Sequence, residues 1–328
     1  MIMERKGTWL TYRDDVRVVD CTIRDGGLIN SFHFSDDLVR AVYDTCEAAG
    51  IDYMEFGYKA SKDMFAVADF GKAKFCDEEF LRHIIGEREK KVKISVMADV
   101  GRTNYKEDIL KKEDSVVDMI RVAAYIHQIP AAIDIIKDAK DKGYEATINL
   151  MSVSTVKEKE LDEALEVLGK TDVDVIYLVD SFGSLYSEDV EKLMTKYYAI
   201  AESNNKKIGV HCHNNQQLAY ANTLEAMMMG ASYLDATLSG MGRGTGNCPM
   251  ELLMGFLKNP KYSLRPIIKC IDKEIVPLRS KMKWGPDIQY QLTGQYNIHP
   301  RPAIAHVESE DENKSYTEFY DSIINENL

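Results

Sequence analysis

Two short stretches carry the residue types of a metal centre. Asp20-Cys21-Thr22-Ile23-Arg24-Asp25-Gly26-Gly27 puts a carboxylate beside a guanidinium, and His211-Cys212-His213-Asn214-Asn215 offers two imidazoles. One carboxylate and two imidazoles are ligands that a divalent cation takes. His211 and His213 are two apart, so on a β-strand both point to one face and Cys212 to the other. Cys212 is therefore read as packing behind the wall that carries the histidines. Asp25 would give a hard oxygen ligand, and Arg24 a fixed positive charge able to hold an oxyanion. Gly26 and Gly27 permit a sharp exit from a strand and the close approach of a ligand. On the motifs alone a bland reading stays open: HxH also arises as structure, and Arg24-Asp25 also suits an ion pair at a strand end.

A third stretch, Gly240-Met241-Gly242-Arg243-Gly244-Thr245-Gly246-Asn247, has four glycines at alternate positions. It does not satisfy GxGxxG and it follows a late strand, which argues against a dinucleotide fingerprint. It reads as a mobile loop. Asn247 could add an amide oxygen to a hard metal, or cap a helix over 249–257. Asp180-Ser181 could bind substrate or cap a helix. Met227, Met228 and Met229 read as helix packing.

For these residues to meet, distant segments must end at one place. Short runs rich in β-branched residues fall at 16–21, 51–56, 92–97, 119–123, 145–150, 173–179, 207–210 and 233–237. Amphipathic stretches lie between them at 34–50, 78–90, 129–143, 154–169, 187–204 and 215–230, several closing on Gly50, Gly143 and Gly230 as helices often do. This alternation predicts an α/β fold, a TIM (β/α)8 barrel, with a doubly wound open sheet as the runner-up. The barrel would span residues 1–257. Residues 258–328 would form a mostly helical C-terminal extension on or near its mouth, ending in a polar surface tail. Barrel enzymes work at the C-terminal ends of their strands. That rule selects Arg24 and Asp25, Glu55 and Lys59, Arg121, Asn149, Asp180 and Ser181, His211 and His213, and the glycine-rich loop.

Bulk properties narrow the classes. The net charge of −12 argues against nucleic acid and anionic membrane surfaces, which need basic patches. No apolar run approaches the ~18 residues of a membrane span. The six cysteines form no CxxC pair and read as reduced thiols. The charged N-terminus lacks an apolar signal region. Together these point to the cytoplasm.

DCTIRDGG, VDSFG, HCHNNQQLAYANTLEAMMMGA and SGMGRGTGNCPME together resemble the TIM-barrel metallolyases. That superfamily includes 4-hydroxy-2-oxovalerate aldolase, hydroxymethylglutaryl-CoA lyase, and the isopropylmalate and homocitrate synthases. The resemblance covers residues 16–257. It implies a divalent metal, Mg2+ or Mn2+ and in some members Zn2+, with Asp25, His211 and His213 as ligands and Asn247 as a further one. It implies that Arg24 stabilises an enolate oxygen. The nearest pattern is that of the 4-hydroxy-2-oxovalerate aldolases, but Leu28 stands where they keep a catalytic histidine. His33 could substitute, or could be a surface residue. Gly27-Leu28 also replaces the Glu-Gln of the acyl-CoA-condensing synthases, and Cys248 beside Asn247 does not reproduce the lyase's cysteine loop. In those aldolases a tyrosine beyond the barrel assists catalysis, so Tyr290, Tyr296 and His299 are candidates to reach over the mouth. Glu55, Asn149, Asp180 and Ser181 are candidates to bind substrate.

The resulting expectation is a metal-dependent aldolase acting on a small 2-oxo acid. The alternatives are an acyl-CoA-dependent Claisen-type transferase or lyase, an oxo-acid decarboxylase, and a non-catalytic metal-binding barrel. A homo-oligomer is expected, and family habit makes an aldehyde dehydrogenase a conceivable partner.

Overall fold

Eight parallel strands pair in chain order and the last closes on the first, making a barrel. They are β1 Arg17–Asp20, β2 Tyr53–Tyr58, β3 Lys93–Asp99, β4 Met119–Ala124, β5 Glu145–Leu150, β6 Val175–Asp180, β7 Lys207–Cys212 and β8 Tyr233–Ala236. The computed structural model describes residues 13–309 and 315–327. The reading of the N-terminus as free of a signal region falls mostly on residues 1–12, outside the described residues. Helices cover the outside of the sheet, among them Asp36–Ala49, Ile129–Asp141, Glu158–Gly169, Ser187–Asn204 and Ala219–Met228. Gly50, Gly143 and Gly230 all have positive φ at the ends of such helices, as expected of them. Both faces of the strands are largely buried, which is why these runs are mainly apolar.

Register decides which side chains fill the barrel. Residues paired across parallel strands share a face, and Asp99, Ala123, Asn149, Tyr177 and Gly209 form one such row. Gly209 is required there, because a Cβ would sit 2.4 Å from the Tyr177 ring. β2 shifts register between Glu55 and Tyr58. That bulge centres on Gly57, whose Cβ would lie 1.8 Å from the Ala73 carbonyl oxygen.

Local structure departs from expectation in four places. Arg24 and Asp25 sit on a one-turn helix, Thr22–Gly26, not on a strand exit. Gly27 is helical, so the glycines serve close packing: a Cβ on Gly26 would be 2.4 Å from Met241 and one on Gly27 2.2 Å from Phe32. β7 continues through His211 to Cys212, and His213 just beyond it bridges to Asn247. The helix Met250–Phe256 takes Pro249 as its N-cap, so Asn247 is not a cap. The 240–247 loop is closed by its own hydrogen bonds, Asn247 N to Gly240 O at 3.1 Å and Gly246 N to Arg243 O at 3.1 Å.

The C-terminal helices form a roof over one side of the barrel mouth. Trp284 Nε1 donates to Ser239 O at 3.0 Å, and Gly285 N to Gly244 O at 3.1 Å. Asn297 Nδ2 donates to Ser154 O, and its Oδ1 accepts from Ser184 Oγ, both at 2.9 Å. The tail read as polar surface is a largely exposed helix, Tyr316–Asn327, docked by one face. Phe319 and Ile323, four apart and so on one helical face, are buried with Tyr290 and Ala303. Residues 310–314 of that tail lie outside the described residues. Among the described residues no helix is long and apolar enough to cross a membrane.

Candidate metal centre

The one-turn helix after β1 and the end of β7 deliver Asp25, His211 and His213 to one point. Their ligand atoms all lie within 4.8 Å of one another. Asp25 Oδ2 is 3.3 Å from His211 Nε2 and 3.7 Å from His213 Nε2. Hydrogen bonding fixes which nitrogens face inward. His213 Nδ1 lies 3.0 Å from the Asp180 carbonyl oxygen, which only accepts, so Nδ1 carries the proton. His211 Nδ1 lies 2.9 Å from Asp235 Oδ2, and that carboxylate also takes a guanidinium, so again Nδ1 donates. Both Nε2 lone pairs are left for a common guest, the arrangement by which outer partners orient metal-binding histidines.

The donor set fits a cation. Asp25 Oδ1, His211 Nε2 and Asn247 Oδ1 are buried with no hydrogen-bond partner among the described residues. An unmatched buried polar atom costs about 1–3 kcal/mol, and here such atoms gather at one site. Asn247 is held beside Asp25 by the glycine loop. Its Nδ2 donates to Met241 O at 3.1 Å, leaving Oδ1 unused. A Cβ on Gly242 would strike Asn247 Nδ2 at 2.1 Å and Asp25 Oδ1 at 3.1 Å, so only glycine lets the loop lie this close. Two carboxylate or amide oxygens and two imidazoles suit a divalent metal. Cys212 faces the other way, into the core, as alternation requires.

Behind this cluster, charges close into a ring. Arg24 Nη1 donates to Asp25 Oδ2 at 2.8 Å and its Nε to Glu55 Oε2 at 2.7 Å. Arg121 Nη1 donates to the same Glu55 oxygen at 3.1 Å, and Nη2 to Asp235 Oδ2. Asp235 returns to His211, and His211 faces Asp25. All six side chains are buried. Burial works against charge on Asp25, but Arg24 and the two histidines outweigh it and hold the carboxyl well below its usual range. Burial likewise opposes the Asp235 charge, and Arg121 with His211 overcomes it, pulling the group down to about 2. Burial pushes His213 down to about 4, whereas at His211 the neighbouring carboxylates of Asp235 and Asp25 outweigh burial and raise it.

The other candidates divide. Glu55 is inside the barrel but committed through Oε2 to both arginines, with Oε1 unpartnered among the described residues. Asn149 lines the barrel and accepts from Thr147 Oγ1 at 3.1 Å. Asp180 accepts from Ser184 N at 2.9 Å and Leu185 N at 3.4 Å, so it braces the loop before the Ser187–Asn204 helix, whose cap is Tyr186. Ser181 Oγ accepts from Ser152 N at 2.8 Å. These backbone bonds occupy both side chains and do not bring them to the ligand cluster. Lys59 donates to Cys76 O at 2.7 Å. His33 is tied to Asp69 O at 3.2 Å, away from the cluster. Tyr290 is buried against Gly244 of the mouth loop, and His299 meets Phe182 edge-on at 5.4 Å. Tyr296 is exposed and donates to the Tyr320 hydroxyl at 3.2 Å, so its ring turns outward, not over the mouth.

Sequence reading singled out none of Asp99, Asp235 and Arg243. Asp99 ends β3 on the inward row, and among the described residues its carboxylate has no closer charged partner than Arg102 at 3.9 Å. Burial raises its pKa against the pull of Arg102, Lys74 and Arg24. The signal available was a charged residue in an apolar strand run, at its end for Asp99 and inside it for Asp235.

A family model described as HMGL-like matches residues 15–270. An oxaloacetate decarboxylase of Mycobacterium tuberculosis is 31% identical over 252 residues, 76% of this chain and 71% of that protein. A 4-hydroxy-2-oxovalerate aldolase of Pelotomaculum thermopropionicum is 29% identical over 253 residues, 76% of this chain and 72% of that protein. Among solved structures, the N-terminal domain of a Bacteroides vulgatus protein described as an aldolase superposes with a TM-score of 0.80 at 28% identity, covering 95% of this chain and all of that one. The hydroxymethylglutaryl-CoA lyase of Pseudomonas aeruginosa shares the fold, with a TM-score of 0.65 at 19% identity over 82% of this chain and 94% of that one.

Proposed function

The chain belongs to the HMGL-like family, and on that premise we propose that it is a divalent-metal lyase cleaving a carbon–carbon bond of a small 2-oxo acid. The reaction would pass through a pyruvate-type enolate, as in 4-hydroxy-2-oxovalerate aldolase. The observation that carries this reading is the meeting of three unpartnered buried donor atoms, on Asp25, His211 and Asn247, beside a clamped Arg24.

Asp25, His211, His213 and Asn247 would hold the ion, with Mg2+ or Mn2+ favoured by the hard oxygens and Zn2+ the softer alternative. Bound there, the metal would supply a Lewis acid that polarises a carbonyl and stabilises negative charge on its oxygen. Arg24 cannot swing, because Nε and Nη1 are fixed by Glu55 and Asp25. Its Nη2, engaged by neither carboxylate, presents a preorganised donor to an enolate oxygen. Asp99, at the inward end of β3 and within electrostatic reach of Arg24, would take the proton of a 4-hydroxyl, and burial raises its affinity for that proton. As that proton leaves, the C3–C4 electrons move into the enolate and an aldehyde departs. Return of the proton to C3 gives pyruvate. The proposal includes a homo-oligomer in the cytoplasm.

A second reading is decarboxylation of a 2-oxo diacid. Leu28 favours it: this exposed aliphatic side chain occupies the aldolase histidine's position and carries no proton. Loss of CO2 yields the same enolate and requires no base. Pyruvate release from 4-hydroxy-2-oxovalerate and from oxaloacetate, with and without chelator, tests both readings. Chelation should abolish release and Mn2+ should restore it, and the better substrate decides between the readings. Turnover indifferent to chelator would remove both.

A further inference from the structure

We infer that Arg243 forms a second anion subsite at the barrel mouth, which takes a distal carboxylate, so that the substrate is a dicarboxylic 2-oxo acid. The inference rests on the 2-oxo-acid reading above and specifies it. Arg243 stands between two glycines that touch different walls of the mouth. A Cβ on Gly242 would meet Asp25 Oδ1 at 3.1 Å, and one on Gly244 would meet the Tyr290 ring at 2.6 Å. The arginine therefore leaves the loop between the metal-ligand atoms and the C-terminal roof.

Its charge reaches His213, Tyr290 and His299, each of which it disfavours or favours electrostatically as a near cation would. None of these supplies a counter-charge at neutral pH. An imidazole is never an anion, and burial raises the Tyr290 phenol, so none of the three carries negative charge. Arg301 adds further positive charge beside His299. Among the described residues the Arg243 side chain makes no hydrogen bond and no ion pair, although it is half-buried. The other arginines of this site contrast with it: Arg24 and Arg121 each bond two carboxylates. A guanidinium offers five donors in a planar fork matched to a carboxylate. Leaving it partly desolvated without an anion is unfavourable. In a chain of net charge −12, an uncompensated cation at the mouth is a recognition element for an anion.

Isothermal titration of the full Mn2+-loaded chain with three probes tests this. 2-Oxoglutarate and 2-oxopentanoate have equal length and differ in the distal carboxylate; oxalate reports the metal-side head of the site. The wild type should bind 2-oxoglutarate about tenfold or more tighter than 2-oxopentanoate, the worth of a charge-assisted pair. Arg243→Gln should erase that preference and leave oxalate unchanged, and Arg243→Lys should recover part of it. Oxalate binding without a dicarboxylate preference, or a preference that survives in Arg243→Gln, overturns this inference alone. Equal losses for oxalate and 2-oxoglutarate would assign Arg243 to the head carboxylate and also overturn it. No oxalate binding to the wild type overturns the 2-oxo-acid reading and this inference with it.

Discussion

Replacing Asp235 by Asn should loosen the barrel interior and the metal site together. Asp235 Oδ2 accepts from Arg121 Nη2 and stands 2.9 Å from His211 Nδ1, with all three side chains buried. Burial opposes its charge, but Arg121 and His211 pull it down to about 2, so the carboxylate is ionised at any working pH. Both bonds are therefore charge-assisted, worth about 1.5–3 kcal/mol each. An amide can replace one acceptor but cannot neutralise Arg121. Removing one partner of a buried ion pair costs about 3–5 kcal/mol, and because Arg121 keeps Glu55 this range is the ceiling for the loss in Asp235→Asn. The same change frees the His211 ring to turn or change tautomer, and loss of such a partner typically weakens metal binding about 10–100-fold. Urea unfolding of the metal-free protein reads the first effect, and Mn2+ titration the second. Arg121→Met completes a double-mutant cycle. Because the pair is buried, removing both charges should cost less than the sum of the single changes. Asp235→Asn within about 1 kcal/mol of wild type, with additive behaviour in the cycle, would refute the reasoning.

Gly242→Ala should displace the Asn247 amide, since a Cβ would sit 2.1 Å from its Nδ2, and weaken Mn2+ binding with little change in unfolding midpoint; Gly255→Ala, with nothing within 4 Å, is the control. Arg24→Met should lower kcat about 10²–10³-fold, the usual worth of a preorganised oxyanion donor, with the substrate KM much less affected. Burial raises Asp20 to about 7, with Thr22 bonds opposing the shift. A carboxyl raised above its unfolded value contributes stability that is complete below about pH 4 and lost as pH climbs to about 7. Asp20→Asn should therefore flatten the unfolding free energy across that window, and an unchanged slope would contradict it. Replacing Tyr296 by Phe should leave turnover within about twofold, because surface substitutions away from a site act weakly and this ring is exposed.

The barrel and the ligand trio were legible because both depend on local periodicity. Apolar strand runs announced the sheet, and the two-residue spacing of His211 and His213 set their common face once β7 was recognised. The ring through Glu55, Arg121 and Asp235 was not legible. Its members come from β2, β4 and β8, and their meeting depends on the tilt and register of a closed sheet, which no single segment encodes. Asp99 needed the same register to place it inward. The roof escaped for a different reason. Phe319, Ile323 and Ile324 are short of the number that would mark an amphipathic helix in a polar stretch, until Tyr290 and Ala303 supply the surface that Phe319 and Ile323 cover. Tyr296 and His299 looked alike in sequence, and only the packing of the roof turns one outward and brings the other to Phe182.

The central claim is that this site generates a pyruvate enolate, and it can be tested without knowing the other half of the substrate. Pyruvate incubated with the Mn2+-loaded protein in deuterated water should exchange its methyl protons, followed by NMR. Exchange should stop with chelator and in His211→Ala, and fall sharply in Arg24→Met. Exchange no faster than with Mn2+ alone, or unaffected by chelator, would contradict the account.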